Sequence, residues 1–223
     1  MNRLDERLNM LYELVPRCRC VADIGTDHGF LPLALLESGK CSKAIACDIS
    51  LPSLQKAAAH SRETRISLDC RQGDGLAALD KDEADCIVIA GMGGVLIAEL
   101  LERGRDQLGH ALLVLQPMTA VKELREYLCA NGFVIVTEEI VFQEERLYHG
   151  LTARLGEAEP DYDCEIGGKL KEHPLYQRYL DFRRNKELEI IRQMGAYRGE
   201  EYDRHLALIR KIEREARHDG NDQ

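Results

Sequence analysis

The feature that most restricts this chain is the stretch Val21-Ala22-Asp23-Ile24-Gly25-Thr26-Asp27-His28-Gly29-Phe30, an apolar run that stops at a turn of Gly and Asp and passes into Leu31-Pro32-Leu33-Ala34-Leu35-Leu36. The pattern predicts a strand, a tight loop and the N-terminus of a helix. Gly25 and Gly29 carry no side chain, so backbone N–H groups and the positive end of the helix can approach a ligand closely. The junction is a candidate small-molecule cofactor site, with Asp23, Gly25, Asp27, His28 and Gly29 as its first residues.

The common phosphate binders do not fit this loop. A dinucleotide fingerprint needs glycine at positions 27 and 30, where Asp27 and Phe30 stand, and a carboxylate inside the loop would repel a pyrophosphate. No Gly-Lys-Ser/Thr follows the first glycine, so the Walker pattern also fails. A cationic adenosine ligand without phosphate fits better. S-adenosylmethionine is one: its sulfonium and ammonium groups suit Asp23 and Asp27, and its ribose needs an acid. Asp48, 25 residues beyond Asp23 at the end of Lys43–Asp48, can accept both ribose hydroxyls, with Ile49 beside it in the same pocket. Asp74, between Gly73 and Gly75, suits hydrogen bonding to an adenine amino group. Each acid alone would be an ordinary turn former; three at successive strand ends make a constellation.

Along the chain, Leu4, Leu8, Leu11 and Tyr12 mark one face of a first helix. Strands are predicted over 20–25, 43–48, 66–71, 86–90 and 111–116, alternating with helices over 29–37, 52–60, 94–103 and 119–131, the last stopped by Gly132. This alternation predicts an α/β fold: a parallel sheet with helices on both faces. Two further strands, 133–142 and 147–153, are joined by Gln143-Glu144-Glu145-Arg146 as an antiparallel hairpin. From Gly156 to Gly168 the chain turns acidic and Pro- and Gly-bearing, which reads as a hinge. Tyr176, Leu180, Leu188, Ile191 and Met194, then Tyr202, Leu206, Ile209 and Ala216, predict two helices in an antiparallel, coiled-coil-like hairpin. The expected division is a catalytic domain over 1–156 and a hinge with helical hairpin over 157–223.

The segments Asp23-Ile24-Gly25-Thr26-Asp27-His28-Gly29-Phe30-Leu31-Pro32, Gln72-Gly73-Asp74-Gly75-Leu76, Ile89-Ala90-Gly91-Met92-Gly93-Gly94 and Leu115-Gln116-Pro117 resemble, in order and spacing, the bacterial tRNA (adenine(22)-N1)-methyltransferase family. The resemblance runs through most of the chain, and Ala-Gly-Met-Gly-Gly is its most specific motif. It implies a Rossmann-like class I methyltransferase sheet, S-adenosyl-L-methionine as cofactor with S-adenosyl-L-homocysteine as product, and tRNA as partner. The implied reaction is methyl transfer to N1 of adenosine 22 in the D-arm region.

The residues after the fourth strand agree with a ring-nitrogen target. Many amino-group methyltransferases carry Asn or Asp followed by Pro-Pro and an aromatic there; this chain has Ala90-Gly91-Met92-Gly93-Gly94, which leaves space for a base and borders the cofactor through Ala90, Gly91 and Met92. Neutral adenine N1 already offers a lone pair, so positioning and desolvation can supply most of the acceleration, up to roughly 7–11 kcal/mol. Asp27 is the catalytic candidate, orienting the adenine amino group or stabilising the charge formed on N1; capping the helix or contacting the methionine ammonium are its alternatives. Gln116 and Pro117 are placed to contact the RNA base, Arg7 to hold a phosphate and Tyr148 to stack on a base.

Charge gives the helical hairpin a separate character. The chain carries a net −9, but 160–223 holds 13 Lys and Arg against 14 Asp and Glu. Arg183 and Arg184 belong to a basic group on one helix, so the hairpin is either an RNA-gripping arm or an ordinary solvated face. Exposing N1 of a tRNA base costs a few kcal/mol, which contacts over a broad surface would offset. Alternative readings are a methyltransferase for a small molecule or protein, and a cofactor-binding scaffold. Eight cysteines form no C-x-x-C pair, so neither zinc nor any other metal is expected. No apolar run is long enough to span a membrane and the start lacks a signal-peptide core, which predicts a cytoplasmic protein, with a monomer as the expected state.

Overall fold

A computed structural model describes residues 4–157 and 159–218. Among these residues, seven strands form one sheet in the order β3-β2-β1-β4-β5-β7-β6: β1 Cys18–Ile24, β2 Cys41–Asp48, β3 Asp69–Gln72, β4 Cys86–Gly93, β5 Leu112–Thr119, β6 Phe133–Gln143 and β7 Arg146–Leu155. β1 to β5 are parallel, and β7 runs antiparallel to both β5 and β6. The helices are α1 Glu6–Leu14, α2 Phe30–Glu37, α3 Leu51–Thr64, α4 Gly94–Arg103, α5 Arg105–Leu108, α6 Val121–Ala130, α7 Tyr176–Gln193 and α8 Glu200–His218. β1 lies between β2 and β4, so the chain's direction of winding reverses there and a crevice opens beyond the ends of β1 and β4.

Alternation along the strands builds two cores. Ala22, Ile24, Ile87, Ile89, Leu113 and Leu115 face Ile97 and Leu101 of α4 and Leu124 and Leu128 of α6. Val21, Cys86, Val88 and Val114 face Leu11 and Val15 near α1 and Leu31 and Leu35 of α2. Near-continuous apolar strands are what a sheet covered on both faces requires, and each fully buried Leu or Ile contributes about 1.5–3 kcal/mol. Local signals set the helix ends: Asp5 accepts from the Leu8 N–H at 2.7 Å to start α1, and Gly132, at φ +72°, follows the end of α6.

Several boundaries differ from the sequence pattern. β3 starts at Asp69 instead of Ile66, because Arg65 turns left-handed at the end of α3 and Leu68 packs into the second core before the ladder begins. β4 and β5 run on to Gly93 and Thr119, held together by a bulge. The compact first unit runs to Gly168. Arg125 and Glu138, each about 1% exposed, pair at 2.7 Å; Tyr162 donates to the same Glu138 and Arg125 donates to the Cys164 carbonyl. A buried pair needs such extra hydrogen bonds to offset its desolvation, and here they hold 162–164 against the sheet.

The second unit runs from Lys169. Its two helices are antiparallel: Glu187 meets His205, and Tyr176 meets Glu215 at 3.4 Å. Tyr176, Tyr179, Leu180, Ile209 and Ile212 are buried. Leu188 leaves the expected stripe, at 47% exposure, because Glu187 turns inward to His205.

Candidate active site

The acids and glycines singled out in the first unit converge on the edge formed by the C-terminal ends of β1 to β5. β1 ends at Ile24, and the Gly25 and Thr26 N–H groups both donate to the Cys47 carbonyl, at 2.8 and 3.0 Å, which turns the chain sharply across β2. Gly25 is at φ +79°, and a Cβ there would lie 2.2 Å from the Met92 methyl group. Only glycine meets both demands without strain. Gly29 stands at the N-cap of α2 in the left-handed region with no side-chain cap, leaving the helix's first N–H groups for a ligand.

Asp23 is 8% exposed, and among the described residues it makes no ion pair. Burial pushes its carboxyl up to about 6, nearby Asp48 adds to this, and a hydrogen bond from Thr26 and the charge of Arg7 oppose it. Asp48 ends β2, with Oδ1 accepting from the Ser50 N–H at 2.6 Å, and Ile49 beyond it is 69% exposed. The Gly73 N–H donates to the Asp48 carbonyl and Gln72 Nε2 to the Ile49 carbonyl, both at 3.1 Å, tying the ends of β2 and β3 together. Asp74 pairs with Arg103 at 2.7 Å, and a Cβ on Gly75 would meet Leu100 at 2.5 Å.

Asp27 does not cap α2. Its carboxylate is exposed and pairs with Lys56 at 2.9 Å and His28 at 3.2 Å; the Lys56 hydrogen bond above all holds its carboxyl below the ordinary range. His28 stacks on Phe30 with ring centroids 5.1 Å apart, and Phe30 meets His60 edge-on. Lys56 and His60 brace the loop from one face of α3. Neither was singled out in the sequence, although their i,i+4 spacing on the helix after Asp48 is a usable signal.

β4 bulges at the candidate base site. Ala90 pairs with Gln116, Met92 with Pro117 and Gly93 with Thr119, while Gly91 drops out at φ +78°. Gln116 does not present its amide to a base: it is fully buried, and its Oε1 accepts from Arg7 Nη1 at 3.0 Å and from the Gly91 N–H at 3.2 Å. Pro117 is buried beside it. Arg7 therefore reaches into the sheet edge instead of standing free for a phosphate. Tyr148 lies half-buried on β7, three residues before Leu151, the antiparallel partner of Leu115, and so toward the same C-terminal end of β5. Arg183 and Arg184 belong to α7 of the second unit; Arg183 donates to the Tyr179 hydroxyl at 3.0 Å, and Arg184 pairs with Asp181 at 3.2 Å.

Among the described residues no group of three or more His, Cys, Asp or Glu is placed to hold a metal. Burial pushes the Cys47 thiol up to about 12 and Cys41 to about 11, as expected of inert buried thiols. A cavity of about 460 Å³ between Gly109, His110, Val134 and Arg154 opens at the N-terminal ends of β5 and β6, the end of the sheet opposite Asp23, Asp48 and Gly91.

Comparison with known proteins agrees with this geometry. Residues 4–151 match the methyltransferase domain family. A tRNA (adenine(22)-N(1))-methyltransferase of Bacillus subtilis (strain 168) is 37% identical over 164 residues, covering 72% of this chain and 69% of that protein. The crystal structure of Streptococcus pneumoniae Sp1610, a putative tRNA (m1A22) methyltransferase, superposes with a TM-score of 0.88 at 28% identity, covering 96% of this chain and 100% of the other. The same protein in complex with S-adenosyl-L-methionine gives a TM-score of 0.85 over 96% of this chain and 100% of the other, also at 28% identity. The chain belongs to the methyltransferase domain family and, within it, to the tRNA (adenine(22)-N1)-methyltransferases.

Proposed function

We propose that this protein transfers a methyl group from S-adenosyl-L-methionine to N1 of adenosine 22 in tRNA, acting as a monomer in the cytoplasm. The observation that carries the reading is the buried Asp23, whose charge is matched by no ion pair among the described residues, set beside a tight glycine turn and an uncapped helix start. A ligand that brings its own ammonium group supplies the missing countercharge. The other residues also fit such a ligand: Asp48 keeps its second carboxylate oxygen for the ribose hydroxyls, and Ile49 and Leu51, 69% and 50% exposed, offer an apolar wall to an adenine. Asp74, Gly73 and Gly75 border the same end.

When bound, S-adenosylmethionine supplies an electrophilic methyl on a sulfonium. The protein's part is to orient and to stabilise. Asp27 is anionic at neutral pH and exposed, which suits electrostatic stabilisation of the charge formed on N1 and hydrogen bonding to the adenine amino group; it does not suit proton abstraction, which N1 does not need. Ala90, Gly91 and Met92 form the wall between cofactor and base. Tyr148 offers a ring for stacking, and Arg183 and Arg184 offer charge to the RNA backbone.

The test is incubation with labelled S-adenosylmethionine and unmodified tRNA transcripts, followed by mass spectrometry and primer-extension mapping. N1-methyladenosine at position 22 is the expected product. Unlabelled tRNA from protein that binds S-adenosylhomocysteine would overturn the acceptor and leave the cofactor assignment standing.

A further inference from the structure

Gln116 is an amide with no exposed surface at an edge where the neighbouring Met118 is 44% exposed. Its Oε1 takes two donors, Arg7 Nη1 and the Gly91 N–H, and its Nε2 donates to the Pro117 carbonyl at 3.0 Å. One side chain thereby joins α1, the bulge of β4 and the end of β5. A bulge re-aims the residues that follow it. Here it sets Met92 opposite Pro117 and brings the Met92 methyl over Gly25, while no heavy atom lies within 4 Å of where a Cβ on Gly91 would stand.

We propose that Gln116, held by Arg7, is a positioning residue for methyl transfer: it pins the Gly91 N–H so that the open space beside Gly91 receives the target adenine while Met92 stays against Gly25. This rests on the proposed function. An amide is needed because the position both accepts twice at Oε1 and donates from Nε2, to the Pro117 carbonyl and to the Met118 sulfur at 3.5 Å. Leucine would strand the Gly91 N–H and the Arg7 guanidinium, and glutamate would keep both acceptors but turn an oxygen toward the Pro117 carbonyl. Arg7 makes the charge-assisted member of the set and so contributes more than a neutral donor would.

The experiment compares Gln116→Leu, Gln116→Glu, Arg7→Met and the Arg7→Met/Gln116→Leu double variant by steady-state kinetics on tRNA, S-adenosylhomocysteine affinity, Tm and amide hydrogen exchange at Gly91. Gln116→Leu should lower kcat by about 100-fold, the scale of a small misplacement of reacting groups, with cofactor affinity kept within about threefold. Gln116→Glu should recover roughly a tenth to a third of wild-type kcat, and the double variant should be no worse than Gln116→Leu alone, because the two residues act as one unit. Exchange at Gly91 should quicken in Gln116→Leu and in the double variant, which remove its acceptor, and change less in Gln116→Glu, which keeps it. Wild-type kcat in Gln116→Leu, unchanged exchange at Gly91, or kcat, cofactor affinity and Tm falling in step would each overturn the proposal. If wild type fails on tRNA, the acceptor reading falls separately. Exchange then decides the pin: faster exchange at Gly91 with cofactor affinity retained supports it, and unchanged exchange overturns it.

Discussion

Just before β4, at the N-terminal side of the sheet, Glu83 takes Arg71 of β3 at 2.6 Å and Lys43 of β2 at 2.9 Å, and Asp69 takes the same Arg71 at 2.7 Å; at the C-terminal end Asp23 is buried without an ion pair among the described residues. The two carboxylates are driven in opposite directions. The Arg71 hydrogen bond pulls Glu83 down to about 2, whereas burial pushes Asp23 up to about 6. Where the fold matches its own charges, those charges stabilise it. Where it leaves one unmatched, the cost is carried for a ligand that brings the opposite charge.

Each end can be broken separately. The largest effect is expected at Gly25→Ala, which places a Cβ against the Met92 methyl in a left-handed backbone: S-adenosylhomocysteine binding should weaken by more than about 100-fold by calorimetry. Retained binding would move the cofactor away from this turn. Asp27→Ala should lower kcat by about 30–100-fold in single-turnover assays, with cofactor affinity nearly unchanged, on the scale of losing one electrostatic stabiliser. Normal turnover would leave Asp27 only a loop partner of Lys56.

Asp23→Asn sharpens the contrast because it should act in two directions. Cofactor affinity should fall about tenfold, yet the ligand-free protein should gain on the order of 1–2 kcal/mol at pH 7.5, since an ionised buried carboxylate is replaced by a neutral amide. The sign follows from the raised pKa: between about 6 and the ordinary 3.8 the folded state holds a proton that the unfolded state has lost. Wild type therefore becomes more stable as pH falls through 6, and the advantage of Asp23→Asn disappears by about pH 4. Melting curves across this range check it. Wild-type affinity for the cofactor should decline below pH 6, as Asp23 protonates.

Glu83→Gln should do the reverse. Its lowered pKa means that the pair contributes above pH 4.5 and is lost as pH falls toward 2; the substitution should cost about 1 kcal/mol at neutral pH, after allowance for solvent screening, and leave kcat unchanged. The smallest effect is expected in the second unit, where Arg183 and Arg184 already have protein partners: reversing both charges should raise the KM for tRNA about threefold and flatten its salt dependence. No change in either would assign those arginines to the helices alone.

Much of the catalytic unit was legible because its signals are local. Apolar runs ending in Asp23, Asp48 and the Gly73–Gly75 turn predicted the strand ends, and the structure brings all three to one edge. The helical hairpin was legible from its apolar spacing, though not the inward turn of Glu187. What escaped was set by partners distant in sequence. Gln116 looked like a residue for a base because nothing near it announces Arg7, 109 positions away. Asp74 looked free because Arg103 lies on another helix, and nothing beside Tyr162 or Cys164 announces Glu138 or Arg125, their partners on β6 and α6.

The sequence by itself determined the alternation of strand and helix, the cofactor turn and the acids beside it, since side-chain periodicity and glycine's backbone freedom act within a few residues. Only the tertiary structure decided which polar groups are buried and which are matched, because burial raises the cost of an unpaired charge or amide and that cost depends on what the fold brings against it. That difference separates Glu83 from Asp23, and it turns Gln116 inward.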